Sequence, residues 1–244
     1  MAAEAALEPP DVETASERYA RRFAGRVGAW FLEVQARTTL ELLRPWPFAR
    51  VLEVGGGHGQ LTGALVEAGH EVTVYGSPGA RGERLRPWAD SGRVRVQHGD
   101  LLRAPWPDRA FDVVLSFRLL AHVPRWRELV AELGRLSAGA LVVDYPTTRS
   151  LNAVAGRLFA LKKAIEGDTR TFTVFDDGDV GEALLAQGLR VTARRPQFFF
   201  PMALHRALRL ASVARSLEAG ARAAGLTRAW GSPVIVRAER DVRP

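Results

Sequence analysis

Val51-Leu52-Glu53-Val54-Gly55-Gly56-Gly57-His58-Gly59 decides the fold. A short apolar run with β-branched residues reads as a buried strand, and three consecutive glycines break it at once. A glycine-rich turn at the carboxyl end of a first strand lies where open α/β sheets bind ligands. Without Cβ atoms such a backbone turns sharply and lets a ligand approach closely. The phosphate-binding pattern GxxxxGK[ST] is not met, because no lysine follows. The dinucleotide pattern GxGxxG is not met either: the loop offers Gly55-x-Gly57-x-Gly59, with Glu53 two residues upstream. An acid there is a poor neighbour for a pyrophosphate and a good one for an ammonium group. A nucleotide-linked oxidoreductase is disfavoured on the same grounds.

Outward from this loop, helical and strand patterns alternate. The spacing predicts a helix over 60–68, closed by Gly69, and another over 126–136. Strands are predicted over 71–75, 93–97, 111–116 and 140–144. Strands separated by helices, without hairpin turns, imply right-handed crossovers and a doubly wound, mostly parallel sheet. Upstream, Tyr19, Phe23, Val27, Trp30, Phe31, Val34, Thr38 and Leu42 recur at helical intervals until Arg44-Pro45-Trp46-Pro47 ends the run. Residues 1–15, small, acidic and proline-interrupted, read as a flexible tail, and 16–240 as a single domain. After the fifth strand the rhythm breaks. An extra helix is predicted over 150–166, a sheet-packing helix over 176–187, a sixth strand over 189–195 and a last strand over 233–238. Two late insertions, about 146–175 and 198–230, stand outside the alternation. In the second, a helix over 204–224 would place Leu204, Leu208, Ala211 and Leu217 near one face. Arg206, Arg209, Arg215 and Arg222 would lie largely elsewhere. A basic amphipathic helix of this kind could rest on an anionic membrane surface.

Composition excludes several classes. The 244 residues are 47% hydrophobic and 25% charged, close to globular averages, so the chain can bury a core. Cysteine is absent, which removes disulfides, thiolate metal sites and a thiol nucleophile. Five scattered histidines without an HExxH pattern give no metal site. The net charge is +7, yet the basic residues are almost all arginine and spread along the chain, with Lys162 and Lys163 the only lysines. No basic arm forms, so nucleic acid is not an expected partner. No run of eighteen apolar residues occurs and the N-terminus is acidic; neither a membrane span nor a signal peptide is expected, and the expected address is cytoplasmic.

Four segments in register carry a family resemblance: the Glu53-x-Gly55-x-Gly57-x-Gly59 loop, Gly99-Asp100-Leu101, Pro105-Trp106-Pro107-Asp108-Arg109-Ala110-Phe111-Asp112-Val113-Val114, and Leu119-Leu120-Ala121-His122-Val123 followed by Glu132-Leu133-Gly134-Arg135-Leu136. Over Val51 to Asp144 the chain resembles the class I S-adenosylmethionine-dependent methyltransferases, in their small-molecule branch. The resemblance implies a Rossmann-like seven-stranded sheet with the last strand antiparallel, an N-terminal helical lid, and S-adenosyl-L-methionine as cofactor with S-adenosyl-L-homocysteine as product. It implies that Glu53 faces the methionine ammonium and that Gly55, Gly56 and Gly57 let the backbone pass under the cofactor. Asp100 would accept from the adenine amino group, with the Leu101 N–H at the ring edge. Ser116 and Phe117 would lie near the transferred methyl.

One position departs from the family pattern. The acid that usually holds the ribose at the end of the second strand falls on Gly76, with only the Ser77 hydroxyl and nearby backbone to replace it. Loss of such a charged hydrogen bond costs about 1.5–3 kcal/mol. An acid introduced at 76 is therefore expected to tighten cofactor binding. The alternative reading is a non-catalytic binding or scaffold protein on the same fold.

The expected activity is methyl transfer to O, N or C of a small, apolar acceptor, with peripheral lipid contact through the insertions. His122, after the fourth strand, is the candidate general base, against a structural reading. Tyr19, Tyr145, Phe199, Phe200 and His205 are the candidate acceptor contacts, and Asp144 ends the fifth strand on the same rim. His58, inside the loop, is expected only to fill space.

Overall fold

Seven strands form one sheet in the computed structural model, which describes residues 10–80, 82–151, 172–208 and 210–240. They are β1 (Arg50–Val54), β2 (Glu71–Gly76), β3 (Val94–His98), β4 (Phe111–Ser116), β5 (Ser137–Tyr145), β6 (Leu189–Phe198) and β7 (Ser232–Arg240), in the order β3-β2-β1-β4-β5-β7-β6. β1 pairs in parallel with both β2 and β4, whereas β7 runs antiparallel between β5 and β6. The chain leaves β1 towards β2 and returns to β4 on the other side, so the switch point opens beside β1. The glycine loop and the segment after β4 both reach that crevice.

Both faces are covered, which is why β1, β4 and β5 read as nearly continuous apolar runs. Helix α3 (Gly25–Leu43) and α4 (Thr62–Glu67) pack Leu42, Leu43, Leu65 and Val66 against Val51, Val72 and Val113. On the opposite face, α6 (Trp126–Leu136) and α7 (Asp177–Leu185) bury Leu129, Leu133, Val180 and Leu184 against Leu52, Val114 and Leu141. A short α5 (Arg86–Ala89) precedes β3.

The N-terminal part differs from its reading in two ways. Residues Pro10–Thr14, placed in the loose tail, form a short helix, α1, because Asp11 docks into the crevice. The single helix expected from Ser16 breaks into α2 (Glu17–Ala20), a 3-10 turn at Arg21–Phe23, and α3. Gly25, with φ +77°, makes the joint, and the bare backbone at Gly28 admits the returning chain: a Cβ there would stand 2.2 Å from the Phe23 carbonyl oxygen.

The second insertion is also broken, into α8 (Met202–Leu208), α9 (Ala211–Ala223) and α10 (Leu226–Trp230). Its buried face carries Ala214, Glu218 and Ala221, while Leu204 and Leu217 stay 40% and 38% exposed. The Glu218 carboxylate decides this orientation. It accepts the Phe199 and Phe200 N–H groups at 3.0 and 2.9 Å and meets His205 Nε2 at 2.9 Å, the partners that a buried charge requires. Arg206, Arg215 and Arg222 donate to the Arg22 carbonyl, Glu33 and the Gln197 carbonyl. The helix over 150–166, with Leu158 and Phe159, lies almost wholly outside the described residues. Among the described residues no helix is long and apolar enough to cross a membrane.

Candidate functional site

After β1 the backbone is left-handed at Gly55 (φ +76°), makes a 3-10 turn over Gly56–His58 and is left-handed again at Gly59 (φ +63°). The Gly55 N–H donates to the Tyr75 carbonyl at 2.8 Å, tying the loop to β2. Glu53 curls beneath the loop, where a Cβ on Gly56 would meet its side chain at 2.5 Å. It is 1% exposed. Its Oε2 accepts from Thr62 Oγ1 at 2.7 Å, and its Oε1 is buried with no hydrogen-bond partner. Burial pushes its carboxyl up to about 7, against the Thr62 hydrogen bond. His58, in the same loop, is buried and pushed down to about 3, chiefly by burial and then by the charge of Arg118, so it stays neutral.

At the end of β2, Gly76 and Ser77 meet α1. Asp11, 0% exposed, accepts from the Ser77 N–H at 2.7 Å and from the Ser77 hydroxyl at 2.5 Å. The Ala15 methyl stands 3.0 Å from a Cβ built on Gly57. Next along the rim, Asp100 is exposed and its Oδ1 accepts from the Leu102 N–H at 2.9 Å, while Leu101 is buried. Ser116 ends β4 with its hydroxyl buried and unpartnered. The Phe117 ring turns away, into the core under α3 and α4.

Beside this rim lies a cavity of about 800 Å³. Tyr19, Phe23 and Phe31 wall it from the N-terminal helices, Phe198, Phe200 and Met202 from the insertion, and Gln35, Arg118, His122 and Asp144 give it polar groups. Arg118 has φ +59° and is partly buried, with its guanidinium 3.9 Å over the Phe23 ring and Nη1 shut off from solvent. Its N–H donates to Asp144 Oδ1 at 2.5 Å and its guanidinium to Gln35 Oε1, while Nη1 has no hydrogen-bond partner. Burial pushes Asp144 up to about 6, opposed by the Arg118 N–H and charge.

Of the expected acceptor contacts, Tyr19 and Phe200 line this cavity, as does His122. Three do not. Tyr145 points to the opposite face from Asp144, as alternation along a strand demands, and donates to Asp177 Oδ1 at 3.0 Å. Phe199 stacks with Trp230 at 6.5 Å between centroids. His205, fully buried, is held by Glu218 among Trp30, Phe31 and Phe198. The sequence reading missed Asp11, Gln35 and Arg118. Gln35 left a signal, a polar residue one turn after Phe31 on the apolar stripe; Asp11 left none.

A family model described as a methyltransferase domain matches residues 19–212. Among curated relatives, an uncharacterized methyltransferase of Anoxybacillus flavithermus is 37% identical over 73 residues, 30% of this chain and 34% of that protein. A probable chloroplastic tocopherol O-methyltransferase of Oryza sativa subsp. japonica is 33% identical over 94 residues, 37% of this chain and 25% of that one. The matches thus span about a third and a quarter of those relatives' length. Among solved structures, magnesium protoporphyrin IX methyltransferase from Synechocystis PCC 6803, with S-adenosylhomocysteine bound, gives a TM-score of 0.63 at 14% identity, covering 92% of this chain and 94% of that one. A putative methyltransferase of Haloferax volcanii, in complex with the Trm112 activator, gives 0.65 at 15%, covering 96% and 99%. At these identities the likeness is one of fold.

Proposed function

The chain belongs to the methyltransferase-domain family, and from that premise we propose that it transfers a methyl group from S-adenosyl-L-methionine to a small, largely apolar acceptor. The observation that carries this reading is a pair of sites at the carboxyl ends of neighbouring strands: a buried carboxylate oxygen without a partner under the glycine loop after β1, and an aromatic cavity against the ends of β4 and β5. The first fits the proposed cofactor. Glu53 Oε1 lacks only a cationic donor, which a methionine ammonium would be, and the glycine loop leaves out side chains that would fill the approach.

When bound, S-adenosyl-L-methionine supplies a methyl already activated by its sulfonium, so the protein has mainly to position the acceptor and exclude water. Glu53 would hold the ammonium, the unpartnered Ser116 hydroxyl would serve the methionine portion, and Asp100 with the Leu101 N–H would read the adenine edge. Tyr19, Phe31, Phe198, Phe200 and Met202 bury the acceptor's apolar body. Arg118 Nη1 orients a polar acceptor atom. Asp144, poised near 6, takes up a proton from an acceptor hydroxyl or amine near neutral pH, with His122 on the cavity wall as the second candidate. The apolar walls support a mainly hydrocarbon or aromatic acceptor over a sugar or a nucleotide.

Thermal denaturation tests the cofactor. S-adenosylhomocysteine at a hundredfold excess over its dissociation constant stabilises the folded state by roughly 2.7 kcal/mol, so the melting temperature rises, whereas NADH and ATP leave it unchanged. A shift with NADH and none with millimolar S-adenosylhomocysteine would refute the reading.

A further inference from the structure

The end of β2 lacks an acid in sequence but not in space. We propose that Asp11, delivered by α1, is the carboxylate that holds the ribose hydroxyls of the cofactor, in place of a side chain at residue 76. The inference rests on the cofactor reading above and adds a binding residue that lies outside the matched family segment, 19–212.

Position is the first argument. Asp11 Oδ2 stands 3.2 Å from a Cβ built on Gly76, within the volume that an acidic side chain at 76 would fill with its own carboxyl. The glycine is what makes room for the carboxylate arriving from the other end of the chain. Its backbone lies outside the left-handed region, so conformation does not explain a glycine there. Close approach does.

Orientation is the second argument. Ser77 donates one hydrogen bond to each carboxylate oxygen, through its N–H and its hydroxyl, and so fixes the plane of the group. An ionised carboxylate accepts about four hydrogen bonds, which leaves one acceptor position on each oxygen. Two vicinal hydroxyls, each donating once, match that remainder.

The third argument is the course of α1. From Asp11 at the end of β2 it passes to Ala15 against Gly57, so it follows the rim from the proposed ribose position to the loop that faces the methionine portion. Glu17, at the start of α2, pairs with Arg84 across the same crevice at 2.9 Å. Ligand admission therefore requires α1 to lift, and its return brings the carboxylate onto the ribose. One residue serves as both closure contact and recognition group.

Calorimetric titration of the full chain tests this, with S-adenosylhomocysteine and its 2′,3′-dideoxy analogue as probes. Asp11→Asn and Asp11→Ala should each weaken S-adenosylhomocysteine binding by about 10- to 100-fold, the worth of charge-assisted hydrogen bonds. Both variants should bind the dideoxy analogue as the unaltered protein does. Gly76→Asp alone should weaken binding, because the new carboxyl competes with Asp11 for one volume. That reverses the gain expected from the sequence. Combined with Asp11→Ala, Gly76→Asp should recover most of the lost affinity. Unchanged or tighter binding by Asp11→Ala, or an equal loss for the dideoxy analogue, overturns the proposal while leaving the cofactor reading intact. Failure of the unaltered protein to bind S-adenosylhomocysteine refutes the cofactor reading itself, and this proposal with it.

Discussion

Replacing Glu53 by glutamine separates the charge of the buried carboxyl from its shape. In the free protein that carboxyl is raised from 4.5 to about 7, mainly by burial. At 1.36 kcal/mol per unit, the difference favours the protonated folded state by about 3 kcal/mol. The contribution is fully present below pH 4.5 and lost as the pH rises through about 7. An ammonium placed at Oε1 stabilises the anion, so ligand binding must expel the proton. About nine-tenths of the free protein is protonated at pH 6 and about a tenth at pH 8, so S-adenosylhomocysteine should bind about tenfold more weakly at pH 6. Titration in two buffers of different ionisation enthalpy reads the released proton directly. Glu53→Gln should bind more weakly, with no proton release and a flat profile from pH 6 to 8. Thr62→Val removes the hydrogen bond that opposes the shift and should move the wild-type midpoint upward. PH-independent binding by the unaltered protein, with no proton exchanged, would refute the assignment of the ammonium to Oε1.

Adjacent phenylalanines should part company. Phe199→Ala removes a buried ring stacked on Trp230 and should cost about 3 kcal/mol, several degrees of melting temperature, with little change in acceptor kinetics. Phe200→Ala opens the cavity wall and should raise the acceptor KM at nearly constant stability; the reverse pattern would displace the acceptor from this cavity. Asp144, held near 6, should make the methylation rate rise with pH through that value, and Asp144→Asn should be slow and flat. A retained limb near pH 6 in Asp144→Asn would assign the titration to another group.

The first three strands were legible because each is a short run with valines that a glycine closes, at Gly55, Gly76 and Gly99, and the first face of the site because Glu53 and its loop are contiguous. The acceptor side was not. Asp144 and Tyr145 are neighbours on one strand, and only the sheet's orientation tells which of them faces the cavity. His205 reads as an acceptor contact until Glu218, thirteen positions on and past a break in the helix, turns it into the core. Asp11 and Ser77 are 66 residues apart, joined by a contact that no periodicity records. Composition marked the first fifteen residues as tail, but the Asp11 carboxylate with its two hydrogen bonds, and Val12 and Ala15 packed on Gly79 and Gly57, hold a short helix there.

The Glu218 pin has a kinetic consequence. Because one carboxylate gathers the amides of Phe199 and Phe200 together with the imidazole of His205, the end of β6 cannot fray without stripping a buried charge of its donors. The amides of 199 and 200 should therefore exchange with solvent deuterium only when α8 and α9 open with them, as one cooperative unit. Evolution can then widen the cavity by exchanging the side chains at 198, 200 or 202, whereas reshaping its outline means moving two helices at once.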